Sequence, residues 1–216
     1  MKIILEGVVG SVAYGLNTSE SDIDTLGIMV YPTEKILSLC KGKETIHSTN
    51  PDYTYHEFEK FIRLASRCNP SALELLYLTE YTKQTIEGEF LLDIRDKFLS
   101  KIIYKSYGGY ALSQAKKLKS KTERSQPDKR HAKHARHCFR LLYQGKELLK
   151  TGKLTVRVSD VDKIIKISEM PIEKMLKLFE QEFEQFDSVK TNIPDTPDYE
   201  VLNELLLKIR SVNYEI

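Results

Sequence analysis

An apolar run, Ile3-Ile4-Leu5-Glu6-Gly7-Val8-Val9, stops on Gly10-Ser11, and a polar stretch then leads into Ser21-Asp22-Ile23-Asp24. This arrangement constrains the chain more than any other. The run reads as a strand bounded by a turn, with a short helical turn through Tyr14 before Gly15. Residues 22–30 form a second strand candidate. Side chains alternate along a strand, so Asp22 and Asp24 are expected on one face and Ile23 in the opposite layer. Two carboxylates on one face repel each other unless a cation or donor offsets their charge. Magnesium, a hard ion that prefers oxygen, suits such a pair. Gly10 would let the backbone approach a phosphate closely. Ser11 could donate from its hydroxyl and its N–H there, or simply act as an N-cap. No Gly-Lys-Ser/Thr follows, which excludes a Walker loop.

The rest of residues 1–100 keeps mixing strand and helix signals. Further strands are expected near 43–48 and 52–55, with Asn50-Pro51 as the turn between them. From Tyr55 a helix is expected, because Phe58, Phe61, Ile62 and Ala65 recur at helical spacing. Asn69-Pro70 ends it, and Pro70 opens another helix carrying Leu73, Leu76 and Tyr77. Residues 101–216 read as mostly helical, with helices near 101–120, 130–150, 171–187 and 198–211. Residues 121–129 are a polar connection, 154–158 a short extended segment, and Asn192 to Pro197 a linker. The expected architecture is α/β: a small mixed-sheet core over 1–100, followed by a helical module over 101–216.

Composition narrows the function classes. Hydrophobic residues make up 41% and charged residues 30% of the 216, which suits a folded domain rather than a disordered one. No apolar run approaches the ~18 residues of a membrane span. Glu6 interrupts the first apolar run, which argues against a signal peptide. Cys40, Cys68 and Cys138 are scattered and odd in number. They suggest no disulfide framework and a reducing, cytoplasmic setting. Net charge is +2, yet residues 101–150 hold 14 Lys or Arg against Glu123, Asp128 and Glu147, a local +11 that leaves −9 elsewhere. Such a segment suits a polyanionic partner, or a plain solvated surface.

Gly10-Ser11-Val12-Ala13-Tyr14-Gly15 followed by Asp22-Ile23-Asp24 resembles the signature of the DNA polymerase beta-type nucleotidyltransferase superfamily. The resemblance implies that Gly10 and Ser11 hold a triphosphate. It also implies that Asp22 and Asp24 ligate two divalent ions, Mg2+ or Mn2+. Val12 stands where the common form has Arg, which removes one charge. Asp52 to Phe61, Cys68-Asn69-Pro70 to Leu76, His137 to Tyr143, Thr151-Gly152 and Pro197 to Leu206 are similar to the RNA-ligase-associated polymerase beta family of RNA repair. The superfamily needs a third carboxylate on a neighbouring strand. Asp52 is the first choice, a turn or cap role its alternative, and Glu57 and Glu44 its competitors.

On the 130–150 helix, Ala135, Cys138, Phe139 and Leu142 form an inward stripe. Lys133, His137 and Arg140 are expected opposite it, exposed and able to bind phosphate, with Arg130 and Arg136 at the margins. Ordinary surface charge for Lys133 and a partly buried hydrogen bond for His137 remain open. His131, His134 and His137 do not complete a zinc set. Lys60, Asn69 and Glu74 could support the active-site wall, or be a surface charge, a helix cap and an exposed helix residue. Tyr104, Tyr107, Tyr110 and Tyr143 could stack on bases, or be packing residues. The expected activity is transfer of a nucleoside monophosphate from an NTP to a hydroxyl acceptor, preferably RNA or tRNA, with pyrophosphate release. A non-catalytic nucleotide- or RNA-binding protein is the alternative, as is transfer to a small molecule or protein.

Overall fold

A computed structural model describes residues 1–19, 21–119 and 128–214. The chain forms two compact units. The first comprises Met1–Leu99 and Thr196–Ile216, the second Ser100–Asp195. Among the described residues no helix is long and apolar enough to cross a membrane.

The first unit is built on a five-stranded sheet. In chain order its strands are β1 (Lys2–Val9), β2 (Asp24–Val30), β3 (Thr45–Thr49), β4 (Asp52–Glu57) and β5 (Lys83–Gln84). Their spatial order is β3-β4-β2-β1-β5. β2 runs antiparallel to β1 and parallel to β4, while β3 and β4 form a hairpin across Asn50-Pro51. Leu26 to Val30 are all buried, as a central strand covered on both faces requires. The helices are α1 (Gly10–Tyr14), α2 (Thr33–Leu37), α3 (Phe58–Ser66), α4 (Pro70–Leu76) and α5 (Ile86–Asp93), followed by a 3-10 turn at Arg95–Phe98. α3 buries Phe58, Phe61, Ile62 and Ala65, the four residues whose spacing announces it. It starts three residues later than Tyr55, because β4 continues to Glu57. The Glu57 side chain then caps α3 by accepting from Glu59 N at 2.9 Å. Asn69 caps α4 and Pro70 takes its first turn.

The second unit is helical: α6 (Ile102–Lys119), α7 (Lys129–Thr151), α8 (Val161–Ser168) and α9 (Ile172–Asp187). α7 opens on a capping box between Asp128 and His131 and closes on Gly152 at φ 67°. Its inward stripe, Ala135, Cys138, Phe139 and Leu142, is fully buried. α7 contacts α6, α8 and α9, so more than one of its sides is covered. Most of the polar connection expected at 121–129 lies outside the described residues. Residues 154–158 join no sheet, and α8 follows them without an expectation from the sequence.

Residues 196–216, grouped with the helical half by sequence order, cluster with the first unit. The cause is the apolar side of α10 (Tyr199–Val212). Leu202, Leu205 and Ile209 are buried, and the helix contacts α3, α5 and the 3-10 turn. Arg210 forms an ion pair with Glu57 at 2.7 Å, and Thr33 N donates to Asn213 O at 2.9 Å.

Candidate active site

The Gly-Ser step and the acidic residues meet at one end of β1, β2 and β4. Val9, the last residue of β1, pairs with Asp24, the first of β2. On the other side Thr25 pairs with Tyr53 in parallel register. One residue earlier, Asp24 and Asp52 therefore stand side by side at the starts of adjacent strands. In-register neighbours point to the same face. Gly10 follows Val9 at φ 73°, and a Cβ there would overlap Asp24 Oδ2 and lie 3.1 Å from its Cγ. The carboxylate occupies the space that any other residue would fill. Glycine serves both the left-handed backbone and this close approach.

Asp22 differs from expectation. The strand begins at Asp24, so Asp22 is an exposed residue of the preceding loop, and strand alternation does not orient it. Ile23 is 64% exposed rather than packed in the opposite layer. The ladder ends where β1 ends at Val9, leaving nothing to hold residues 21–23 in a strand. Ser11 is the second residue of α1 and its N-cap is Val9, so the N-cap role for Ser11 does not hold. Ser11 instead sits in the first turn of α1, directly after Gly10.

The donor chemistry of Asp22, Asp24 and Asp52 is that of a hard divalent ion: carboxylate oxygens only. Among the described residues no three His, Cys, Asp or Glu side chains converge closely enough to hold a metal. Asp24 and Asp52 are placed by the sheet, whereas Asp22 lies in the loop that precedes it. The competing acids are engaged elsewhere. Glu57 caps α3 and pairs with Arg210. Glu44 is an exposed partner of Arg63 at 2.6 Å.

Glu74 is not the exposed helix residue that its position also allowed. It is 1% exposed and accepts a hydrogen bond from Tyr14 OH, which ties α4 to the last residue of α1. The signal was a lone Glu among Leu73, Leu75 and Leu76, all buried. Lys60 lies 3.9 Å from Glu44, a surface charge, and Asn69 is the helix cap. A second polar network braces the sheet: Tyr55 OH donates to Glu6 at 2.6 Å and Thr82 Oγ1 to the same carboxylate at 2.7 Å. Burial and the Glu6 carboxylate push the Tyr55 hydroxyl up to about 12.

In the second unit Lys133 is exposed, as expected, but Arg140 is not. It is 1% exposed, donates to Gln144 Oε1 at 2.6 Å and lies 3.2 Å from His137 Nδ1. The exposed stripe is thus corrected at Arg140. The segment after α7 covers this side, with Gln144 Nε2 donating to the carbonyls of Thr155 and Val156 at 3.2 and 2.9 Å. Burial, then the Arg140 guanidinium, push His137 down to about 3, so its ring is neutral and can accept from Arg140. His131 belongs to the α7 cap and His134 Nδ1 pairs with Gln114 at 2.8 Å, so the three histidines serve separate structural ends. Tyr107 is buried and Tyr104 donates to Val189 O, whereas Tyr110 is exposed.

The model of the RNA repair pathway DNA polymerase beta family matches residues 1–170. That span contains the whole acidic site and runs through α8. The chain is also 30% identical over 138 residues to an uncharacterized 38.9 kDa protein of the nrdC-mobD intergenic region of Enterobacteria phage T4. The alignment covers 57% of this chain and 41% of that protein, so the chain matches about two fifths of the relative's length.

Proposed function

Because this chain belongs to the RNA repair pathway DNA polymerase beta family, we propose that it is a metal-dependent nucleotidyltransferase. It moves a nucleoside monophosphate from an NTP to a hydroxyl of RNA or tRNA and releases pyrophosphate. The observation that carries this reading is the seating of the Asp24 carboxylate against Gly10, with Asp52 beside it in the next strand. The same short segment of sheet thereby offers a phosphate turn and a pair of acids.

Ser11 donates to phosphate oxygens of the NTP, and Gly10 allows the backbone to come close. Asp22, Asp24 and Asp52 are the residues that would hold Mg2+ or Mn2+, two from the sheet and one from the loop before it. Bound ions supply charge stabilisation at the phosphates and lower the pKa of the acceptor hydroxyl. Asp52 is the acid best placed to help remove that proton, since Glu57 is committed to Arg210. Glu74 positions α1 through Tyr14. Lys133 offers an exposed charge to the nucleic-acid backbone, while Arg140 and His137 act through each other.

A second reading, a non-catalytic nucleotide- or RNA-binding protein, draws on the position of Asp22 off the strand. The deciding experiment is pyrophosphate release with each NTP, with and without Mg2+ or Mn2+, in the presence of RNA, tRNA or no polynucleotide. Release that needs ion and RNA supports the enzyme. RNA or NTP binding with no release under any of these conditions would leave the binder. Release with small-molecule or protein acceptors alone would replace RNA as the acceptor.

A further inference from the structure

The segment after α7 folds back on that helix and leaves a cavity of about 350 Å³ within the second unit. Three cationic side chains contribute to its lining: Arg140, Arg157 and Lys163. Arg140 is almost wholly buried among protein atoms, whereas Arg157 and Lys163 are exposed. The Lys163 ammonium sits 4.6 Å from the centre of the Tyr143 ring, which restrains it beside the cavity.

Two carboxylates also line the space, and both are engaged by donors of their own segment. Glu147 Oε1 accepts from Thr155 Oγ1 at 2.6 Å, and its Oε2 accepts from Thr155 N at 3.3 Å. Asp160 Oδ1 accepts from Lys163 N at 2.9 Å, as the cap of α8. The Gln144 amide is spent on Arg140 and on two carbonyls. Three cations against two carboxylates leave the lining with a net charge of +1, and the Ser159 hydroxyl stands beside them.

We propose that this cavity is an anion subsite that takes a phosphate of an RNA strand. The choice of RNA rests on the family reading above. It is also favoured by the +11 balance of residues 101–150, a field that draws a polyanion more strongly than a lone phosphate. The volume exceeds that of a phosphate group alone and lies near the lower end of ligand pockets, about 300 Å³. Arg157 supplies a planar fork for phosphate oxygens and Lys163 a point charge. Neither residue stands out from the sequence, because they come from an irregular segment and an unexpected helix.

The test is RNA binding by the full chain, measured by fluorescence anisotropy of a short labelled RNA over a range of salt, without nucleotide or divalent ion. The double variant Arg157→Ala/Lys163→Ala should bind roughly tenfold more weakly, and the slope of log affinity against log salt should fall by about 1. A charge-matched control, Lys174→Ala/Lys177→Ala on α9, should stay within about twofold of wild type. Equal losses in both variants, or no loss in the first, would overturn the subsite. Inorganic phosphate provides a further arm. If it saturates the cavity of the wild type without displacing RNA, the site serves free phosphate and the RNA assignment falls. If the double variant does not fold, amine-reactive labelling of the wild type decides: RNA should protect Lys163, and unchanged labelling would refute the proposal. RNA binding without nucleotide transfer would sink the enzyme reading alone, whereas transfer with an unprotected Lys163 would sink this one alone.

Discussion

The two units place their charged groups by different means. In the first, Asp24 and Asp52 are set by strand pairing, one residue before the paired Thr25 and Tyr53. In the second, Arg140 lies on a long helix of which more than one side is covered by protein. A strand has two faces, and pairing decides which residues are neighbours. A helix offers a continuous surface, and the position opposite a buried stripe is exposed only if nothing else covers it. The comparison teaches that spacing places the acids of a sheet more securely than the cations of a central helix.

The largest effect should come from the sheet. Asp24→Asn should lower turnover by at least about a hundredfold while circular dichroism stays unchanged. Asp22→Asn should lose less, because its side chain is exposed in the loop and not set by strand pairing. Near-wild-type turnover from both folded variants would remove the acids from the chemistry. Gly10→Ala should come next, since it combines a left-handed backbone with overlap on Asp24. A cost of roughly 2–4 kcal/mol is expected, with loss of turnover, measured by urea denaturation and pyrophosphate release.

The helical unit should answer in stability. Arg140→Ala deprives Gln144 and His137 of their donor and opens a void, which should cost roughly 2–4 kcal/mol. Arg136→Ala should stay within about 0.5 kcal/mol. Equal urea midpoints for the two variants would restore an exposed Arg140 and erase the contrast between the units.

A smaller effect should appear with pH. His137 titrates near 6.5 when unfolded and is pushed to about 3 by burial and by Arg140. Its depressed folded value means that the unfolded chain takes up the proton first. The neutral ring's contribution is complete above about 6.5 and declines as pH falls toward 3. Between pH 6.5 and 5 the loss should be up to about 2 kcal/mol. His137→Gln should flatten this part of the stability profile, and an unchanged slope would refute it. The smallest effect is expected at Gly152→Ala, about 1 kcal/mol. This glycine is also left-handed, at φ 67°, but a Cβ there meets nothing within 4 Å.

Much of this was legible in the sequence where local chemistry and tertiary demand agree. Val9-Gly10, the helical spacing of Phe58 to Ala65, the Asn69-Pro70 cap and the Thr151-Gly152 stop all reappear in the fold. Asp52 could be placed beside the acids only through the resemblance, because strand order is a long-range property. The strand-face orientation expected of Asp22 fails because alternation does not extend past the point where pairing ends. The exposure expected of Arg140, and the exposed alternative for Glu74, fail because a charged residue on a helix reads as exposed until its neighbours are known. α8 and α10 show the same limit: Val161–Ser168 is too short for periodicity to announce, and α10 docks on a unit distant in sequence.

The return of α10 makes the second unit an insertion in the first. Its entry and exit are neighbours: Asp198 N donates to Lys97 O at 2.9 Å, and inside the insertion Lys101 N donates to Pro194 O at 2.8 Å. During synthesis Leu202 and Arg210 can reach their places in the first unit only after the insertion has been made. The inserted helices emerge earlier and can form their own core meanwhile. Because the two crossing points lie so close, a short bridge from residue 99 to residue 196 would ask little of the chain's entropy. The first unit is thus a natural candidate for production as one continuous minimal domain.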